Sequence, residues 1–403
     1  MVFNRQFVSK LLSRLVHEDT PLIQVVIGPR QVGKTTGVKS VLSQVTQSHY
    51  ATTDLARAPD HEWIVAQWQA AKAKGHGTIL AIDEIQRIDR WSDIIKALFD
   101  EDRMSGAVKV IILGSSSLSL RHGLGDSLLG RFELIEVPHW SYWESHHALG
   151  WDLNKHLMFG GYPGAAHLIQ DVDRWQAFIR DSIIESVLAK DIFMLAKIGK
   201  PALFRQLMEI VLQYPAQEIS YQKLVGQLSD SGSIETVKGY LDIMNSAYLL
   251  RSIEKFSTRA LSTKASSPKL LPSCPALAHS IQSPFEVVNN PSWRGRIVEA
   301  VVGAHLAKIP NTRLFYWRDG VDEVDFVLKG HNQILGIEVK SGLKTPSKAQ
   351  SETLSKNTSK GVASFRARFR DARCVTLMEP MLETLLNQDE PTKCWEWLRE
   401  LGV

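Results

Sequence analysis

Cysteine is scarce in this chain. Cys274, Cys374 and Cys394 stand far apart in 403 residues and show no metal-ligand spacing. That excludes a disulfide-framed domain and a zinc-ribbon site, and fits reduced thiols in a cytoplasmic protein. Thirteen histidines form no metal-binding pattern either; the pair His146 and His147 reads as loop. No apolar run approaches the roughly 20 residues that a bilayer-spanning helix needs, so no membrane role is expected. Arg5, Gln6 and Lys10 interrupt any signal-peptide core near the N-terminus. Neither sign of charge dominates: a net charge of +4 and a pI near 8.8 permit an anionic partner without requiring one. Internal repeats are also missing. What remains is ordinary globular composition, 44% hydrophobic and 22% charged, with room for two or three domains.

Against that background one stretch stands out. Gly28, Pro29, Arg30, Gln31, Val32, Gly33, Lys34, Thr35 and Thr36 carry the spacing G-x-x-x-x-G-K-T. The glycines let the backbone turn tightly, so that successive N–H groups point at phosphate oxygens. Lys34 can reach the β- and γ-phosphates, and the Thr35 hydroxyl can bind Mg²⁺. An apolar run from Leu22 to Ile27 precedes the loop and an amphipathic segment from Thr36 to Val45 follows it. Strand, loop and helix thus come in the order that a phosphate site at a helix N-terminus demands.

Further strands are read at Tyr50–Asp54, Thr78–Asp83, Val108–Leu113 and Glu133–Val137, with helical segments between them. This alternation predicts a parallel sheet covered on both faces. The third strand ends in Asp83 and Glu84, about 50 residues beyond the P-loop; Asp83 can hold the metal shell and Glu84 can polarise the attacking water. The fourth runs into Ser115, Ser116 and Ser117, where one hydroxyl can contact the γ-phosphate or the water. Ser115 is the candidate, with Ser116 not separable from it. Gly130, Arg131 and Phe132 follow.

Here the chain resembles an AAA-type ATPase core, in which a Gly-Arg-Phe segment supplies an arginine finger to the neighbouring subunit. The resemblance implies that Arg131 places positive charge on the transferring phosphoryl group in trans. It therefore implies a homo-oligomer, and suggests a ring such as a hexamer. A local salt bridge is the simpler alternative for Arg131. ATP as the nucleotide also rests on the resemblance. The Gly-Pro-Arg-Gln-Val-Gly-Lys-Thr-Thr loop and Gly160-Gly-Tyr-Pro163 resemble one bacterial and archaeal branch of such ATPases, which carries a C-terminal nuclease-like domain.

The chain divides into an ATPase domain over 1–150, a helical lid over 151–200, a winged-helix-like domain over 201–260 and a C-terminal domain over 261–403. In the third, Phe204–Leu212, Tyr221–Leu228 and Ile234–Met244 read as helices and Tyr248–Ile253 as a strand, with Ser220 and Ser233 as caps. Thr236, Lys238 and Tyr240 on the third of these helices are weak candidates for touching a duplex. Lys269–Leu277 reads as degenerate and broken by proline.

In the C-terminal domain, a helix carries Glu299, one strand carries Asp325, and the next carries Glu338 and Lys340 on one face. This pattern looks like the PD-(D/E)xK nuclease fold, in which the acids bind Mg²⁺ and the lysine helps activate water. A fold of that kind can also persist as a binding module. Lys340, Lys344, Lys348, Lys356, Lys360, Arg366, Arg368, Arg370 and Arg373 form a basic stretch. They suit DNA phosphates and an ordinary solvated face equally.

The expected fold is α/β: an AAA-type parallel-sheet core, a helical and winged-helix middle, and a restriction-nuclease-like C-terminal α/β domain. The expected function is ATP- and Mg²⁺-dependent remodelling of, or translocation on, DNA by a ring oligomer. Two other readings stand beside it. One is a nucleotide-controlled switch in signalling or defence. The other is a metal-dependent DNA nuclease regulated by ATP.

Overall fold

A computed structural model describes residues 3–18, 22–102, 106–114, 124, 127–194, 198–229, 232–258, 266–330, 333–341 and 359–401. The chain packs as two units. The first comprises Met1–His139, Ile183–Lys197 and Ser246–Tyr248; the second comprises Trp140–Ser182, Ile198–Asn245 and Leu249–Val403.

The first unit is built on β1 (Ile23–Ile27), β2 (Ser48–Thr52), β3 (Thr78–Asp83), β4 (Val108–Leu113) and β5 (Phe132–Glu136). Their order is β2-β3-β4-β1-β5, and every neighbouring pair is parallel. Helices α1 (Gln6–His17), α2 (Lys34–Leu42), α3 (His61–Lys72) and α4 (Trp91–Asp102) belong to the same unit. Every residue of β1 and β3 is buried, as a sheet covered on both faces requires. Ile23, Val25, Leu80 and Ile82 pack with Ile64, Trp68, Ile95 and Phe99 in one core. Each such side chain contributes roughly 1.5–3 kcal/mol by leaving water. Asp60 starts α3 by accepting the Trp63 N–H at 2.9 Å. In this α/β core, functional groups collect at the carboxyl ends of the strands.

The second unit contains a seven-stranded sheet in the order β12-β11-β10-β9-β7-β8-β6. Its strands are β6 (Gln217–Glu218), β7 (Leu250–Lys255), β8 (Lys269–Pro272), β9 (Arg313–Asp319), β10 (Asp322–Lys329), β11 (Ile334–Lys340) and β12 (Arg373–Met378). Helices Pro201–Gln213, Tyr221–Gly226 and Ile234–Ser246 precede β7. Ser220 caps the second through the Lys223 N–H at 3.2 Å. The segment expected to be proline-broken, Lys269–Leu277, opens with a regular strand as far as Pro272, and Pro275 then starts the short helix Pro275–Ala278. β8 is buried throughout and pairs antiparallel with both β6 and β7. Pro272 is its last residue, where a missing N–H is tolerated.

β7 also pairs parallel with β9 through Glu254–Phe315 and Lys255–Tyr316, so the two halves of this sheet are continuous. The helix Pro291–Leu306 packs closely on it. A methyl group at Gly303 would stand 2.7 Å from Leu271 and 2.8 Å from Phe326. Tyr240, a candidate for duplex contact, is buried against Phe204, and its hydroxyl accepts the Lys200 N–H at 3.2 Å. It is a core residue. No described helix is long and apolar enough to cross a membrane.

Candidate functional site

The P-loop joins β1 to α2. A methyl group at Gly28 would lie 2.0 Å from the Val137 carbonyl oxygen, so only glycine fits there. Gly33 has φ +91°, a left-handed conformation that glycine adopts at little cost, directly ahead of α2. Val32 is buried, and its carbonyl accepts from Arg5 Nη1 at 2.9 Å, which ties the loop to the N-terminal segment. Gln31 and Thr36 are exposed.

Lys34 is buried. Its Nζ donates to the carbonyl oxygens of Gly28 at 2.9 Å and Pro29 at 2.6 Å. Burial pushes its pKa down to about 8, with Glu84 and Asp83 pulling the other way. The ammonium is held by neutral carbonyls and has no direct carboxylate partner within its own loop. Its charge is under-compensated, the state in which an incoming phosphate gains most.

Thr35 Oγ1 donates to Asp83 Oδ2 at 2.8 Å, and the Tyr50 hydroxyl donates to the same oxygen at 2.9 Å. Burial and the neighbouring Asp83 push the Tyr50 phenol above its usual value, so it stays a donor. Hydroxyl and carboxylate together are the hard oxygen donors that Mg²⁺ prefers, and they fit it. Tyr50 was read only as a strand residue, yet it orients Asp83.

Glu84 has φ 56° and ψ 33°, unusual for a residue with a side chain. Three hydrogen bonds fix it there: Glu84 N–H to Leu113 O at 3.0 Å, Thr53 Oγ1 to Glu84 O at 2.7 Å, and Arg87 N–H to Glu84 O at 3.2 Å. Gln86 Nε2 donates to its carboxylate at 2.5 Å. The cost of such a backbone, roughly 1–3 kcal/mol, is borne where a side chain must be aimed.

Arg30 leaves the loop sideways. Its Nε and Nη2 donate to the two oxygens of Asp191, each at 2.7 Å. Burial opposes the guanidinium charge, and Asp191 outweighs it, so the pKa rises. Asp191 lies on the helical segment Val187–Phe193 and is itself buried. Sequence reasoning missed it, since a Lys-Asp pair in a helical run reads as solvated surface. Arg131 makes a two-pronged ion pair with Asp100, Nε–Oδ1 2.7 Å and Nη2–Oδ2 2.8 Å. Within one chain it therefore has a local partner. Ser115 and Ser116 lie outside the described residues.

The second candidate cluster is in the other unit. Glu299 comes from the helix Pro291–Leu306, Asp325 from β10, and Glu338 and Lys340 from β11. Asp325 falls where the β9–β10 register shifts, between Val324 and Val327, and such a bulge re-aims side chains. Glu338 is buried and ion-paired with Lys340. Lys269 of β8, which the sequence reading passed over, is also here. It ion-pairs with Glu299 and lies 3.9 Å from Asp325 Oδ1. Burial opposes its charge, yet Glu299 and Asp325 prevail and raise its pKa. Among the described residues no group of three His, Cys, Asp or Glu side chains is arranged to hold a metal ion. In the basic stretch, Arg368 ion-pairs with Asp319, while Lys344, Lys348 and Lys356 lie outside the described residues.

Residues 20–146 match the family model described as an AAA domain. Residues 150–284 and 294–372 match two models described as domains of unknown function, DUF8612 and DUF4143. An uncharacterized protein of Mycobacterium tuberculosis is 27% identical over 361 residues, covering 87% of this chain and 77% of that protein. An uncharacterized protein of Methanocaldococcus jannaschii is 25% identical over 279 residues, covering 64% of this chain and 59% of that one. A Walker-type ATPase of Pyrococcus abyssi has a similar fold, with TM-score 0.50 and 14% identity, covering 69% of this chain and 95% of that one. The segment 20–146 is thus an AAA-type P-loop ATPase domain. The protein is an ATPase.

Proposed function

We propose that this ATPase works as a ring-shaped homo-oligomer, in the manner of a hexamer, and spends ATP in the cytoplasm on remodelling or translocating DNA. The observation that carries the ATP half is the convergence of Lys34, Thr35, Asp83 and Glu84 at the carboxyl end of the parallel sheet. Mg²⁺ would be held by Thr35 and Asp83 and would neutralise charge on the phosphates. Lys34 leaves the Gly28 and Pro29 carbonyls to meet phosphate oxygens. Gly28 and Gly33 keep the backbone of the loop open to them. Glu84, released from Gln86, accepts the proton of the attacking water. Arg131 exchanges Asp100 for the neighbouring subunit's nucleotide.

The DNA half is supported by the helix-strand-helix-helix-strand order over residues 201–255, which suits a winged helix. It is also supported by Lys255, Arg318 and Arg368 lining one cleft of the second unit, where Asp319, the partner of Arg368, is the one acid. β9 to β12 with the helices Pro291–Leu306 and Lys360–Arg368 follow the element order of a nuclease-like domain. In this reading that domain and the winged helix, with the helical lid before them, form the DNA-gripping layer beyond the ATPase segment.

The test is ATP hydrolysis without DNA and with single-stranded, duplex and four-way-junction DNA, with Lys34→Ala as blank. Stimulation by one DNA form is expected. Hydrolysis indifferent to all of them would sink the DNA half and favour the nucleotide-controlled switch.

A further inference from the structure

The nuclease-like reading implies a divalent cation among Glu299, Asp325 and Glu338, and the oxygens of these residues decide whether it fits. Glu299 Oε1 faces the Lys269 ammonium. Asp325 Oδ2 accepts the Val339 N–H at 2.7 Å, and Asp325 Oδ1 lies 3.9 Å from Lys269 Nζ. Glu338 Oε1 faces Lys340. Glu338 Oε2 is the one carboxylate oxygen of Asp325 and Glu338 that is buried without a hydrogen-bond partner. One such oxygen does not make a metal site while Lys269 engages the facing oxygens of Glu299 and Asp325. The cation implied by the resemblance does not fit this arrangement.

We infer that Lys269 is the built-in counter-ion of this cluster and stands where a metal-dependent nuclease would carry its metal. The ammonium is anchored for that role. Its side chain is only 9% exposed, its Nζ donates to the Asp325 carbonyl at 3.3 Å, and it lies 5.3 Å from the centre of the Phe326 ring. Two structural features bring it there. β8 carries it as the head of a fully buried strand, and the irregularity at Val324–Val327 turns Asp325 to meet it. A charge buried this deeply is tolerated only with direct partners, and Glu299 and Asp325 supply them. A divalent ion entering the same space would meet a fixed positive charge within a few ångströms. The domain is therefore assembled without metal, and its part in the protein is binding rather than phosphodiester hydrolysis.

This inference rests on the nuclease-like reading of the C-terminal domain, and it is tested separately from DNA-stimulated hydrolysis. Mn²⁺ is titrated into nucleotide-free, full-length protein, and bound ion is read by the loss of the free-Mn²⁺ spin resonance signal. Wild type and Asp325→Asn are expected to bind the same amount. Lys269→Ala is expected to melt at lower temperature, to bind about one further ion per chain, and to recover melting temperature with Mn²⁺. Asp325→Asn in that background should remove the gained ion. A wild-type ion released by Asp325→Asn or Glu338→Gln would overturn the inference, as would a folded Lys269→Ala that gains none. If Lys269→Ala does not fold, the wild-type and Asp325→Asn pair still decides the matter.

Discussion

Among the described residues two lysines are buried, Lys34 and Lys269, and their environments push them in opposite directions. Lys34 touches only carbonyl oxygens, and burial lowers its pKa to about 8. Lys269 ion-pairs with Glu299 beside Asp325, and its pKa rises. Lys34 has a charge still to be met, so a phosphate is a better partner than the ones it has. Lys269 is already neutralised, so further anions gain little there, and a further cation would have to displace it from the acids. A buried lysine marks a ligand site when its contacts are neutral, and a finished structural cluster when they are charged.

The largest test of that contrast is Lys34→Ala, expected to abolish hydrolysis with little loss of melting temperature. A variant retaining more than a small fraction of the rate would remove Lys34 from the chemistry. Arg131→Ala is next. An arginine supplied in trans contributes on the order of 10³-fold or more to the rate. Mixing it with Lys34→Ala should restore activity, since each protein supplies what the other lacks; rates that merely average would return Arg131 to its local pair with Asp100.

Glu84→Gln should slow turnover by roughly 10²–10⁴-fold while leaving nucleotide affinity nearly intact, as loss of a general base does. Weakened binding instead, seen by calorimetry, would make Glu84 a structural residue. Asp191→Asn frees Arg30 from its two 2.7 Å bonds and should raise KM for ATP several-fold with a smaller change in kcat. An unchanged KM would detach that pair from the P-loop's work.

The smallest effect is in pH. Phosphate raises the pKa of Lys34 above its unliganded value of about 8. Above pH 8 binding must then take up a proton, so affinity should fall as pH rises through that value. Buffers of different ionisation enthalpy would show the uptake, and its absence in Lys34→Ala would assign it.

The candidate ATP site was legible because its pieces are local. Gly28 to Thr36 is one uninterrupted stretch of sequence, and Asp83 with Glu84 closes an apolar strand of unmistakable length. The parallel pairing of β1 to β5 needed only alternation of strand and helix, whereas their order in the sheet was not read from the sequence. Asp191 and Lys269 were invisible for the opposite reason. Each acquires its role from chain far away in sequence: Asp191 from Arg30, and Lys269 from Glu299 and Asp325. Lys269 did leave a trace, as a lone charge heading a short apolar run, but Pro272 three residues on drew the reading towards a broken segment. Tyr240 erred in the other direction, because a helical position facing the core looks the same in sequence as one facing solvent.

The pairing of β7 with β9 has a consequence for how the protein is made. When Leu250–Lys255 leaves the ribosome, one of its two edges can close at once with Lys269–Pro272. The other must wait for Arg313–Asp319 to be synthesised. During that interval the nascent chain displays an unpaired strand edge, the kind of surface that seeks other chains. In the ATPase sheet both edges of β1 wait in the same way, one for Val108–Leu113 and the other for Phe132–Glu136. Release of the chain after Lys255 and before Arg313 should therefore yield a chain that holds all five strands of the ATPase sheet and still shows the open edge of β7.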